Sequence, residues 1–317
     1  MKYLKKEAKE YAFKNMHGIW AAALNPFNDD SSFNEGGFRT NIRHWIDDLE
    51  IDGLFIAGKQ GEFFSMSIEE RKKNFEIAVE ETYGKAQTIM SCSDQNFDTV
   101  LELARHSENI GADYIVVHAP ILHFISDRRD ILLNYYTELC SKINIGVAMW
   151  SHPDSGYLMD PHLCSEIANI PNIVAIKYSV PRDMYKKLTE IAGHKLLVST
   201  ASEEEWLQNI IELNWKLYLC SSPPYLLQTK KDKRMLKYTR LALEGRIEES
   251  RKVSASLDKV REAIRISRPK GKPQAHQKYW QELLGQVGGP VRFPLSQLTE
   301  KEKEITRDVF NKCGLVL

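Results

Sequence analysis

One lysine stands where lysine rarely stands. In "IVAIKYS" (173–179), four apolar residues run directly into Lys177. The segment reads as a buried strand, and lysine is seldom fully buried without a partner or a task. A desolvated amine has a lowered pKa and supplies free base at neutral pH. Such an amine can attack a ketone and form a Schiff base, whose protonated form withdraws electrons from the adjacent C–C bond. A lysine that snorkels to a rim or pairs with a carboxylate is the plainer alternative, and position alone leaves both open.

Two further stretches carry groups suited to such chemistry. In "GKQGEFFSMSIEER" (58–71), Gly58 and Gly61 bracket a tight turn. Turns of this kind expose backbone N–H groups that can hold a carboxylate. In "AMWSHPDSG" (148–156), Trp150 ends an apolar run and Pro153 stiffens the loop. Taken alone, Trp150 reads as packing. The nine histidines show no HExxH or similar ligand spacing, so no metal site is expected.

The elements that must position these groups are legible as a series. Short, nearly continuous apolar segments recur at 18–24, 53–58, 87–93, 113–119, 145–150, 173–179, 195–201 and 216–222. Strands of a parallel sheet read this way because both faces are covered. Segments of helical period lie between them, one opening with the capping pattern of Ser67 and Glu70. Eight such strands predict an α/β fold, a (β/α)8 TIM barrel. An open doubly wound sheet would carry a glycine-rich phosphate turn after its first strand, and "LNPFNDD" is not one. After residue 222 the strand signal stops and helical pattern takes over. The expected organisation is an N-terminal extension (1–16), the barrel (17–235) and a C-terminal helical domain (236–317).

Composition narrows the partners. The 317 residues carry 43 basic and 43 acidic side chains, so no field favours nucleic acid or an anionic membrane. The basic stretches at 230–234 and 268–272 read as solvated surface. The five cysteines are widely spaced without a CxxC pair, which suggests a reduced, cytoplasmic protein. The charged N-terminus is not expected to be a signal peptide. No run approaches the roughly 18 apolar residues of a membrane span.

Together these pieces resemble the dihydrodipicolinate synthase / N-acetylneuraminate lyase superfamily of class I pyruvate aldolases, from about His17 to the end. "GKQGEFFSMSIEER" is similar to that family's G-[ST]-[TS]-G-E-x-x-x-L-[ST]-x-E-E-R, "NIVAIKYS" to its lysine-bearing strand, and "GGPVRFPLSQLTEKEKE" to its C-terminal stretch. The resemblance implies a homo-oligomer, tetramer or dimer, that takes a small-molecule 2-oxo acid and needs no metal or organic cofactor. It implies Lys177 as the imine-forming residue, and Gly58, Lys59, Gln60 and Gly61 as the carboxylate holder. Ser151, Thr200 and Ser221, near the ends of the fifth, seventh and eighth strands, join the substrate-binding set.

The departures are as telling. The family's two hydroxyl residues after the first glycine are Lys59 and Gln60 here. Its strand-five tyrosine, a proton shuttle in a Y-N-x-P pattern, is Trp150 in "WSHP". An indole N–H donates but is no acid or base near neutral pH. Ile121 and Leu122 replace a tyrosine pair, and the arginine that usually comes after the strand-five segment has no counterpart. The benzylidene-pyruvate hydratase-aldolase subgroup comes partly closer, through "IKYS" and "HPDS". The resulting expectation is a Schiff-base lyase or aldolase, with proton transfer from water, Ser151, His152, Tyr178 or Thr200. A catalytically impaired 2-oxo-acid-binding homologue and a Schiff-base dehydratase or decarboxylase of a sugar acid are the alternatives.

Overall fold

The computed structural model describes residues 2–317. Eight parallel strands form the barrel wall: β1 Gly18–Ala22, β2 Gly53–Ile56, β3 Gln87–Ser91, β4 Tyr114–His118, β5 Gly146–Ser151, β6 Ile173–Tyr178, β7 Leu197–Ser199 and β8 Leu217–Ser221. Each expected strand is present; β5 keeps its expected length and the others are shorter by one to four residues where the chain turns into its loop. Helices α1 Ala8–Asn15, α2 Glu35–Arg43, α3 Ile68–Thr82, α4 Phe97–Ile110, α5 Arg129–Ser141, α6 Pro161–Ile167, α7 Arg182–Ala192 and α8 Trp206–Leu213 alternate with them. The capping box at Ser67 and Glu70 starts α3 as the sequence predicts. Because the strands are covered outside by helices and inside by one another's side chains, both faces are apolar.

Backbone ladders join every neighbouring pair around the ring from β8 through β1 to β7. A side chain secures the last joint. The Ser199 hydroxyl donates to the Leu217 carbonyl at 2.8 Å and accepts the Leu219 N–H at 2.8 Å. It thus stands in for a ladder between β7 and β8. Ser199→Ala removes both partners from buried backbone groups. The variant is expected to lose about 1–3 kcal/mol of stability, read from urea unfolding; an unchanged midpoint would show that the joint is held by packing alone.

Residues before the barrel do more than extend it. Tyr3 places its hydroxyl between β4 and β5, donating to the Asp113 carbonyl at 2.5 Å and accepting the Gly146 N–H at 2.8 Å. With Ala8 and Ala12 of α1 it packs against Trp20 and Tyr114 and stops the N-terminal end of the barrel.

Beyond β8 the chain is helical: α9 Pro223–Leu226, α10 Arg234–Leu243, α11 Ile247–Ala255, α12 Asp258–Ser267, α13 Pro273–Leu283 and α14 Glu300–Phe310. This part reaches back to the loop after β2. Lys278 of α13 pairs with Glu62 at 2.6 Å, both side chains essentially fully buried. The other Glu62 oxygen accepts the Arg292 N–H at 2.8 Å, and the Arg292 guanidinium holds both oxygens of Glu70. The 58–71 stretch is therefore clamped between its own strand and the C-terminal helices.

Candidate active site

Parallel registry decides which side chains meet. His118, Trp150 and Lys177 are paired across β4, β5 and β6, and Lys177 is paired with Ser199 of β7. Side chains in register on neighbouring strands share a face. All these positions belong to the inward set, at the C-terminal end of the barrel, where barrel enzymes place their chemistry.

Lys177 is 2% exposed. Its amine lies 4.8 Å from the Phe55 ring centre and 4.8 Å from that of Trp150. It donates to the Cys220 carbonyl at 2.8 Å and has no carboxylate among its partners in the described residues. Burial pushes its pKa below the ordinary lysine value, with the nearby charge of Lys59 adding to the effect. The plainer alternatives, a rim lysine or a carboxylate pair, do not describe this environment.

The turn after β2 lies one ring away. Gly58 packs on Phe55 so closely that a Cβ would fall 2.2 Å from the ring. The Asn25 side chain donates to the Gly61 carbonyl at 2.7 Å and is itself bonded to Asn74. Among the described residues, the N–H groups of Lys59, Gln60 and Gly61 have no acceptor within the protein. A fixed turn with open donors is a seat for an anion.

A cavity of about 680 Å³ opens above this layer, bordered by Lys59, Gln60, Phe63, His118, Ile121 and Trp150. Lys177, in register with Trp150, is not among the residues bordering the cavity; its amine lies beside the Trp150 indole, whose N–H is buried without a partner. Arg268 and Gln274 reach the cavity from the C-terminal helices. Arg268 is exposed, as its basic stretch suggests, and it also borders the cavity mouth. A second groove, about 650 Å³, lies among α8, α11 and α12. Its arginines are paired with acids, Arg261 with Glu203 and Arg265 with Glu262.

Lys59 pairs with Asp154 across the cavity mouth and sits 3.2 and 3.1 Å from the two ring nitrogens of His152. Burial, reinforced by Lys59, lowers the His152 pKa to about 4, so this imidazole is neutral at pH 7.

The other expected site residues are dispersed. Ser151 is the neighbour of the inward Trp150 and so points outward, where its hydroxyl accepts the Met159 N–H at 3.0 Å. Tyr178, next to Lys177, is likewise outward and donates to the Met159 carbonyl. Ser221 bonds Tyr218 at 2.8 Å and the Ala201 carbonyl at 3.1 Å. Thr200 is buried just after β7. The structure brings Lys59, Gln60, Trp150 and Lys177 together, and it adds Phe55 and His118. The signal for His118 was its place at the end of a strand, four residues beyond Tyr114.

Comparison with known proteins agrees with this architecture. The N-acetylneuraminate lyase of Clostridium perfringens is 32% identical over 165 residues, 52% of this chain and 57% of that protein. The match thus spans little more than half the length of the curated relative. The crystal structure of N-acetylneuraminate lyase from Fusobacterium nucleatum superposes with a TM-score of 0.82 at 24% identity, over 94% of this chain and 98% of that one. YagE, an Escherichia coli K12 prophage protein solved in complex with pyruvate, gives 0.83 at 20% identity, over 95% and 99%. Likeness at that identity speaks for the fold. Residues 15–312 match the sequence model of the dihydrodipicolinate synthetase family, and the chain belongs to that family.

Proposed function

We propose that this protein is a Schiff-base lyase or aldolase acting on pyruvate or another 2-oxo acid through Lys177. The observation that carries the reading is the amine itself: buried between two aromatic rings, bonded to one carbonyl, with its charge disfavoured. A neutral amine adds its lone pair to C2 of the keto acid, and the carbonyl oxygen takes up a proton. A second proton passes to that oxygen from the nitrogen, and its departure as water, with the nitrogen pair moving into C=N, gives the iminium. The open N–H groups at 59–61, with the Lys59 charge beside them, suit the substrate carboxylate. The Trp150 N–H can donate but can move no proton. The name of the curated relative, N-acetylneuraminate lyase, supports the same reaction class. A cytoplasmic homo-oligomer completes the proposal; no helix among the described residues is long and apolar enough to cross a membrane.

One feature favours a second reading. Lys177 is buried against Trp150 and does not border the cavity, as in a homologue that binds 2-oxo acids without turning them over. Borohydride reduction in the presence of pyruvate separates the two. An adduct of about 72 Da on Lys177 is expected for the imine-forming enzyme. Absence of the adduct with pyruvate and with longer 2-oxo acids would leave the binding reading. Product analysis distinguishes an aldolase from a dehydratase or decarboxylase.

A further inference from the structure

We infer that His118 is the proton-transfer group of this site, in the role that Trp150 cannot fill; the inference rests on the Schiff-base reading. Its ring is held in one orientation. Nδ1 lies 2.8 Å from the Ala119 carbonyl, which can only accept, so the proton of the neutral ring sits on Nδ1. Nε2 is then a bare lone pair, and it is buried without any partner. The ring stands edge-on to Trp150, centres 4.8 Å apart at 80°, and borders the cavity. The backbone N–H of His118 donates to the Ser93 hydroxyl at 2.9 Å, which fixes the chain beneath the ring.

The other histidine at the mouth is spoken for. His152 Nδ1 accepts the Asp154 N–H at 3.1 Å, and Lys59 lies against both ring nitrogens. The charged and titratable groups around His118 are Lys59 after β2, Asp94 after β3, His152 and Asp154 after β5, Lys177 on β6 and Arg268 from the C-terminal helices. Burial lowers the His118 pKa, and the repulsion from Lys59 and Lys177 works in the same direction against Asp154. The ring is a neutral base at pH 7, as general base catalysis requires.

In the cleavage direction, Nε2 takes the proton of the hydroxyl one carbon beyond C3. The C3–C4 electron pair becomes the C2=C3 bond of an enamine as the iminium nitrogen recovers its π pair. An aldehyde leaves, and Nε2–H returns the same proton to C3. Proton transfer at C3 can be read without knowing the aldehyde. In D2O with pyruvate, proton NMR reads exchange of the methyl protons, and borohydride trapping on Lys177 is run in parallel. Two variants, His118→Gln and His118→Asn, are compared with wild type, with folding checked by circular dichroism. Expected is an intact Lys177 adduct with exchange slower by about 10²–10⁴-fold, and loss of the limb along which wild-type exchange falls as pH drops through the lowered His118 pKa. Exchange within a few-fold of wild type in either folded variant would overturn the assignment. So would loss of the adduct in both, since His118 would then be building the site. A wild-type protein without the adduct would instead sink the Schiff-base reading itself.

Discussion

Lys177→Met is expected to lose at least about 10⁴-fold in turnover, as removal of a covalent nucleophile does, while becoming more stable by about 1–2 kcal/mol. Loss of activity on its own would fit many roles; the gain in stability is the diagnostic part. Methionine has similar length, fills the space between Phe55 and Trp150, and makes favourable sulfur–aromatic contacts. It forfeits the hydrogen bond to the Cys220 carbonyl, at a cost of about 1 kcal/mol, and escapes the larger cost of burying an amine. The pH dependence has a definite sign. The folded pKa of Lys177 is lowered, so between that value and the unfolded lysine value the unfolded chain binds more protons. Wild-type stability therefore falls, at this residue, as pH drops from about 10.4 toward the folded pKa. The methionine variant lacks that slope, and its advantage widens as pH falls through this window. Thermal unfolding of both proteins from pH 7 to 10 measures it. A variant no more stable than wild type at pH 7 would mean that Lys177 is a structural residue.

Lys278→Met is expected to have the opposite effect, a loss of about 3–5 kcal/mol, because it leaves the Glu62 carboxylate buried without its cation. Glu62 is essentially unexposed and holds a left-handed backbone, φ 57°, so it has no easy route to water. The double variant Glu62→Gln, Lys278→Met should recover most of the loss, since a neutral pair avoids the uncompensated charge. Urea midpoints of the single and double variants test this. Additive losses would show that the two side chains do not interact. The same single variant should weaken carboxylate binding at the 59–61 turn, since the turn is held from the C-terminal side through this pair.

Much of this was legible in the sequence, and the omissions have a physical pattern. Runs with both faces apolar announced the strands, and an ionisable residue inside such a run announced Lys177. Glycines at 58 and 61 announced the turn: a Cβ at 58 would collide with the Phe55 ring, and one at 61 would press on the Ala23 carbonyl. Ser151 illustrates the limit. Strand residues alternate faces, so the neighbour of an inward Trp150 must be outward, and a choice one position away reverses the result. His118 read as the end of an apolar strand, because its role depends on which residues of β5 and β6 fall in its layer. The Glu62–Lys278 pair joins residues far apart in the chain, and neither carries a local sign that it is buried. The hydroxyl between β7 and β8 is equally silent, one serine in "VSTA" among many.

That joint has a mechanical consequence. Lys177 on β6 reaches past β7 to the Cys220 carbonyl on β8, so the reactive amine is also a strut across the part of the ring that Ser199 helps to button shut. When the nitrogen becomes an iminium, it gives up protons and turns its substituents into a plane, and the strut must slacken or re-aim. Each turnover would then load and unload the seam of the barrel, and the small residue that fastens it would set how far the wall yields.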